Sequence, residues 1–257
     1  MKIGAYQFVV TDSIQDNLSI MKRAIMDAAV QNVELLIFPE CALTGYPPRN
    51  IANSATVDFD GVTVALEQIQ DMAVSNVIHI VVGTITKEES NYYNSAVVLT
   101  PDRKQILYHK RALWGWDKDN FRAGNNDGVF QIADKKIGIR ICYEVRFPEF
   151  FRELYRENTD LNVILFYDVS DEDDTERYEI IRSHIRTRAV ENVCPILTVN
   201  AISPYQTAPT ALLDQSGYAL AELKRNEEAL LVYDLENRKL SFGERGRKEM
   251  SDLLCGM

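Results

Sequence analysis

The sequence predicts an α/β fold in which a mixed sheet, or two packed sheets, carries its helices on the outside. Runs rich in Ile, Val, Leu and Tyr recur at 2–10, 35–39, 78–86, 95–100, 105–110, 136–142, 162–167, 195–201, 210–214 and 229–235, the lengths and composition of strands. Between several of them, at 13–32, 60–76, 147–158 and 174–193, apolar residues return at helical spacing. Helices alternate with single strands in the first half, but strand pairs stand together at 78–110, with Asn91 and Pro101-Asp102 supplying turns. A strictly parallel, doubly wound sheet therefore fits less well than a mixed one.

Taken in order, Met1-Lys2-Ile3-Gly4-Ala5-Tyr6-Gln7-Phe8 reads as an edge or core strand, and no apolar signal-peptide core follows its lysine. The helix over 13–32 has Ser13 as N-cap and Asp16 in its first turn, with Leu18, Met21, Ile25, Ala28 and Ala29 on one face that needs a sheet to cover it. Three later strands end on polar residues. Leu35-Leu36-Ile37-Phe38-Pro39 runs into Glu40, Gln105-Ile106-Leu107-Tyr108-His109 into Lys110, and Lys136-Ile137-Gly138-Ile139-Arg140-Ile141 into Cys142. The strand over 162–167 leads into an acidic stretch from Asp168 to Asp174. Residues 192–213 lack charges, but Pro195, Asn200, Pro204 and Pro209 make them a poor membrane helix. No Pro/Gly/Ser-rich linker divides the chain, so one domain over 1–257 is expected, with a core to about 235 and a C-terminal tail at 236–257.

Composition narrows the function. A net charge of −10 without basic runs argues against a nucleic-acid or anionic-membrane surface. The cysteines at 41, 142, 194 and 255 show neither CxxC nor His/Cys metal spacing, which predicts free thiols in a reducing cytoplasm and no metal. Gly83, Gly115 and Gly138 form no phosphate loop, so no nucleotide cofactor is expected.

A buried cysteine is ordinarily a small hydrophobe and a lysine ending a strand is ordinarily solvated. Glu40, Lys110 and Cys142 all stand at strand ends, however. If those ends share one edge, a nucleophile, a carboxylate and an ammonium meet in one crevice. His109 tempts a Cys-His reading, but alternation points it away from Lys110, so it is read as structural. His79 and His184 have no carboxylate partners at ligand spacing. Cys41 is expected to face away from Glu40, with Cys194 in the core and Cys255 in the tail.

Phe38-Pro39-Glu40-Cys41-Ala42-Leu43-Thr44-Gly45-Tyr46, Tyr108-His109-Lys110-Arg111-Ala112-Leu113 and Gly138-Ile139-Arg140-Ile141-Cys142-Tyr143-Glu144-Val145-Arg146-Phe147-Pro148-Glu149 together resemble the nitrilase (carbon-nitrogen hydrolase) superfamily. Arg186 to Asn192, Val199-Asn200-Ala201 and Thr210 to Gly217 extend the resemblance colinearly over roughly 1–235. It implies a four-layer α-β-β-α sandwich with mixed sheets, no cofactor, and a Glu-Lys-Cys triad of Glu40, Lys110 and Cys142. A free thiol titrates near about 8.5, so a neighbouring carboxylate and ammonium are needed to deliver the thiolate. Many members carry a second pocket glutamate before a Phe-x-x-Gly turn. Here the turn is Phe121-Arg122-Ala123-Gly124, so either the shorter Asp117 or else Asp119 stands in that place.

The implied activity is hydrolysis of a small amide or N-carbamoyl amine through a cysteine thioester. Alternatives are an ω-amidase or nitrilase branch, acyl transfer to an amine, or a catalytically silent binding module. Tyr46, Trp114, Asp117, Tyr143 and Asp168 are the expected substrate-binding or supporting residues, with Trp116 on the same loop as Trp114. Asp168 predicts a preference for neutral or cationic amides over dicarboxylate-derived ω-amides, which Arg146 or Arg177 would reverse by turning inward. A homodimer is expected through the helices at about 147–158 and 178–192, because Phe147, Phe150, Phe151, Leu154 and Tyr155 give more apolar surface than one face needs.

Overall fold

The computed structural model describes residues 1–236 and 238–257. One mixed sheet is built from β1 (Lys2–Gln7), β2 (Leu35–Ile37), β3 (His79–Glu88), β4 (Asn91–Leu99), β5 (Gln105–His109) and, from late in the chain, β14 (Ala229–Asp234). Its spatial order is β14-β1-β2-β3-β4-β5, with β1, β2 and β3 parallel and the remaining neighbours antiparallel. The second sheet contains β6 (Val129–Ile132), β7 (Lys135–Ile141), β8 (Leu161–Phe166), β10 (Ile196–Asn200), β12 (Ala211–Leu213) and β13 (Ala219–Glu222), in the order β13-β12-β10-β8-β7-β6. Here β7, β8 and β10 form the parallel centre. A small antiparallel ladder joins β9 (Val169–Ser170) to β11 (Tyr205–Gln206).

Alternation along the strands makes the layers. In β2, Leu35 and Ile37 point between the sheets, where they meet Ile139 and Ile141 of β7 and Val163 and Leu165 of β8. Leu36 points the other way, into the layer of α1 (Ile14–Val30) and α2 (Phe59–Asn76), with Leu18, Met21, Ile25, Val62 and Ile69. Ile164 and Phe166 of β8 cover the second helix layer, α4 (Pro148–Arg156) and α5 (Thr175–Asn192), through Phe151, Leu154, Ile181 and Ile185. Full burial of one such side chain is worth roughly 1.5–3 kcal/mol, so each strand is held from both faces. The four layers and the mixed sheets are those the sequence predicts.

Helix ends follow their caps. The Ser13 side chain accepts from the Asp16 backbone N–H, Asp58 from Gly61 and Asp174 from Arg177, each satisfying a donor the helix cannot. Pro148 begins α4, where its missing N–H costs nothing.

The C-terminal tail expected at 236–257 carries a helix, α6 (Phe242–Cys255), whose Ser241 cap and Glu244 form a capping box. It lies on the outer helices: Tyr155 donates to the Lys248 carbonyl at 3.1 Å, and Arg247 Nε to the Val190 carbonyl at 3.2 Å. The apolar surplus expected at 147–158 is also mostly covered within the chain, since Phe151, Leu154 and Tyr155 are buried and only Phe147 and Phe150 stay partly open.

Candidate active site

The strands ending at Glu40, Lys110 and Cys142 open on one edge. The backbone N–H of Glu40, beyond β2, donates to the carbonyl of Phe166 at the end of β8, at 3.3 Å, and so ties the two sheets together there. Glu40 lies three residues past its strand, on a turn packed against β3. An added Cβ at Gly83 would stand 1.9 Å from the Pro39 carbonyl oxygen and 2.8 Å from Glu40 Cα. Only glycine lets that turn approach. Gly124 does the same beside Lys110: its N–H donates to the Lys110 carbonyl at 3.0 Å, and a Cβ there would meet the His109 carbonyl oxygen at 2.3 Å.

Glu40 is fully buried. Its Oε1 accepts from Asn94 Nδ2 and from Lys110 Nζ, both at 2.7 Å, and its Oε2 accepts from the Tyr167 backbone N–H at 2.8 Å. One lone pair of Oε2 stays open. Lys110 Nζ also meets Asp117 Oδ2 at 2.7 Å, and Asp117 Oδ1 accepts from the Tyr46 hydroxyl at 2.8 Å. An ammonium has three donors, so one N–H of Lys110 remains after both carboxylates are served. Asp117 is buried on the short helix α3 (Trp116–Asn120) whereas Asp119 is exposed, which decides between them.

Cys142 follows β7 with φ of 46°, in the left-handed region that a side chain enters at a cost. It starts a single 3-10 turn, Cys142–Arg146. Glu144 fastens the turn. Its Oε2 accepts from the Ile141 N–H at 2.6 Å, and its Oε1 from the Tyr108 hydroxyl and the Arg111 N–H at 2.7 Å each, so it binds the cysteine strand to the lysine strand. Arg188 on α5 holds the far end, donating from Nε to the Val145 carbonyl at 2.9 Å and from Nη2 to the Arg146 carbonyl at 3.1 Å.

Burial pushes the Cys142 thiol well above its usual range; Glu40 adds to this, and Lys110 opposes it. The resting nucleophile is thus a thiol and not a preformed thiolate. Burial also raises the Glu40 carboxyl, with Lys110 opposing and Asp117 adding to the rise, which makes it a stronger base. Lys110 is pulled down by burial, but Glu40 and Asp117 outweigh this and keep it charged.

A cavity of 420 Å³ lies over this cluster, lined among others by Tyr46, Lys110, Trp114, Asp117, Cys142, Tyr143 and Asp168. Every residue expected at the site except Glu40, which sits behind Lys110, therefore reaches its wall. Trp116 lines it too, and Tyr46 stacks on Tyr167 with ring centroids 5.0 Å apart. His109 turns away as expected, between Ser95 Oγ at 2.8 Å and Glu88 Oε1 at 3.1 Å. Asp168 departs from its expected part: its carboxylate is engaged by Arg177 at 2.7 Å and by the Thr207 hydroxyl, and Arg49, Arg146 and Arg177 all line the cavity. The predicted bias towards neutral or cationic substrates loses its basis. Sequence reasoning missed Asn94, Glu144 and Arg188 as supports. A buried asparagine inside the apolar strand β4 was the available signal for the first.

The model of the carbon-nitrogen hydrolase family matches residues 2–240. The chain belongs to that family. Among similar proteins, the 2-oxoglutaramate amidase of Bacillus subtilis (strain 168) is 28% identical over 205 residues, covering 77% of this chain and 76% of that protein. An (R)-stereoselective amidase of a Pseudomonas species is 25% identical over 247 residues, covering 93% and 87%. Among solved structures, an amidase of a Nesterenkonia species superposes with a TM-score of 0.80 at 26% identity, covering 91% of this chain and 90% of that one. A glutamate-to-glutamine variant of that amidase carries acrylamide added at its active-site cysteine. The carbon-nitrogen hydrolase fold, the amidase type and the cysteine chemistry expected from the sequence accordingly hold.

Proposed function

We propose that this carbon-nitrogen hydrolase cleaves a small amide through a thioester on Cys142, with Glu40 as the proton carrier and Lys110 as an oxyanion donor. Cys142 Sγ attacks the amide carbon as its proton passes to the open lone pair of Glu40 Oε2. The oxyanion is met by the third N–H of Lys110 and the backbone N–H of Tyr143, donors that need no reorientation. Collapse expels the amine, which leaves with the proton from Glu40. Glu40 then takes a proton from water, the hydroxide attacks the thioester, and the second collapse returns the thiol and frees the acid. Asp117, braced by Tyr46, keeps Lys110 charged and aimed while Glu40 trades its proton.

The single observation that carries this reading is the placing of Lys110 between two buried carboxylates in the same cavity wall as Cys142. The test is intact-mass spectrometry of enzyme mixed with a small amide, alongside ammonia release. An acyl adduct on Cys142 that decays as ammonia accumulates supports the reading, and turnover by Cys142→Ala overturns it.

We further propose a reducing, cytoplasmic setting, since all four cysteines are free thiols. No helix among the described residues is long and apolar enough to cross a membrane. A homodimer through the outer helix layer remains our reading on a different basis, with Ile180 of α5 and Met250, Leu253 and Leu254 of α6 exposed.

A further inference from the structure

We propose that Asn94 is a positioning residue for the reaction: its amide fills one lone pair of Glu40 Oε1 and so dedicates Oε2 to the proton of Cys142. This rests on the amidase reading above and deepens it. A carboxylate oxygen offers two lone pairs. Those of Oε1 are both taken, by Asn94 Nδ2 and Lys110 Nζ at 2.7 Å each, whereas Oε2 has a single donor, the Tyr167 backbone N–H at 2.8 Å. Neither the amide N–H nor the ammonium can give way by accepting a proton in return, so the thiol proton has one place to go.

The strand fixes this arrangement. Asn94 is fully buried on β4, between β3 and β5. Alternation sends the next residue, Ser95, to His109 on the opposite face at 2.8 Å, which leaves Asn94 facing the reacting groups. The Asn94 carbonyl accepts from the Lys110 N–H at 2.8 Å, so one residue holds both the root of the lysine and the head of the glutamate. Without the amide, the Lys110 ammonium is free to span both carboxylate oxygens and occupy the open lone pair. Asn94 Oδ1 is itself buried with no hydrogen-bond partner among the described residues, a cost in stability, so the amide contributes at Glu40 and not to the core.

The same bond sets the pH at which Glu40 can act. The charged and titratable groups around Glu40 are Lys110, Asp117 and the Cys142 thiol, with Cys41 and Tyr46 from its own loop. Burial raises the Glu40 carboxyl and Asp117 adds to this, while the charge of Lys110 and the hydrogen bonds from Lys110 and Asn94 pull it back. Loss of the Asn94 donor therefore raises the carboxyl further. A base that must be ionised to accept a proton then fails at a higher pH than before.

The test measures kcat and KM for a small amide against pH in the wild type, Asn94→Ala and Asn94→Asp. Asn94→Ala should lose about 100-fold in kcat with KM held within about twofold, and the acidic limb of its profile should move to higher pH. Asn94→Asp keeps the shape of the side chain but donates only while protonated, so its kcat should fall away from that of the wild type as pH rises. An unchanged kcat in Asn94→Ala, or a loss of the same size at every pH, would overturn the proposal. If Asn94→Ala does not fold, Asn94→Asp decides alone, and a loss independent of pH overturns the proposal there too. Infrared titration reads the role of Asn94 without turnover, through the carboxyl band that disappears in Glu40→Gln: its midpoint should rise in Asn94→Ala, and an unmoved midpoint counts against the proposal. If no amide is hydrolysed, the amidase reading fails alone and this titration still decides.

Discussion

Replacing Glu40 by Gln should drive the two reactivities of Cys142 in opposite directions. The amide keeps the size of the side chain but cannot take up the thiol proton, and loss of a general base costs about 10²–10⁴ in rate. It also cannot satisfy the site, because three donors converge on Glu40, from Asn94, Lys110 and the Tyr167 N–H. The NH₂ of Gln must confront at least one of them, a loss of about 1–3 kcal/mol in stability. Yet the Glu40 charge is one of the causes that raise the Cys142 thiol. Its removal should therefore lower the thiol pKa and leave the opposing pull of Lys110 less contested. The assay follows alkylation of Cys142 by iodoacetamide as a function of pH, using intact mass, beside ammonia release from a small amide. The Gln variant should alkylate at lower pH than the wild type while its turnover falls at least 100-fold. Alkylation slowed in parallel with turnover would refute the argument, because Glu40 would then be ionising the thiol at rest.

Gly83→Ala should reduce kcat about 100-fold and destabilise the fold by about 1–3 kcal/mol, since its Cβ overlaps the Pro39 carbonyl and displaces Glu40; unchanged kcat in a folded variant would show that the turn tolerates the shift. Glu244, buried at the start of α6, is raised by burial, but hydrogen bonds from Arg238, Ser216 and Ser241 outweigh this and hold it down to about 2. A depressed carboxyl stabilises the fold above its unfolded value of about 4.3 and loses that stabilisation as pH falls towards 2. Titration from pH 5 to pH 2 should therefore release α6 in the wild type, seen as hydrogen exchange of its amides, and Glu244→Gln should remove the pH dependence. Light scattering at micromolar concentration should report twice the chain mass of 29.3 kDa, and the Leu253→Glu, Leu254→Glu double variant should return it to that of one chain.

The strands that carry the chemistry were legible because each is a buried run ending on one polar residue, and the family resemblance then supplied the pairing of Glu40, Lys110 and Cys142. What the sequence concealed depends on approach between distant segments. The seat of Glu40 requires Gly83 on another strand, and nothing near residue 40 announces it. Asp117 and Asp119 differ only in which side of one short helical turn they occupy, which the contact of Asp117 with Lys110 and Tyr46 decides. Glu144 looked like any acidic residue after a nucleophile, but it joins two strands that are neighbours only across the sandwich. The edge strands β6 and β13 have four residues each and β13 is largely exposed, too short and too weakly patterned to be read. The helix α6 was missed because its apolar residues Met250, Leu253 and Leu254 point outward.

The supports and the specificity wall have different origins, and that difference bears on how the site works. Glu40, Lys110, Cys142 and Glu144 are fixed by strand ends and by hydrogen bonds to backbone, so their geometry follows from the packing of the two sheets. The charged wall comes instead from Arg49, Arg146, Asp168 and Arg177, on loops, a turn and a helix start, and three of these are balanced by pairs that are partly solvent-exposed. The largely exposed Arg49–Asp171 pair is worth about 0–1 kcal/mol, so that side of the wall can be rearranged at little cost to the fold, whereas the buried Asp168 carboxylate depends on its pair with Arg177. Arg146 bridges the two sets. Its backbone belongs to the turn that Arg188 clamps, while its guanidinium belongs to the wall. A change at Arg188 should therefore impair every substrate alike, by loosening the turn on which Cys142 and Arg146 both stand.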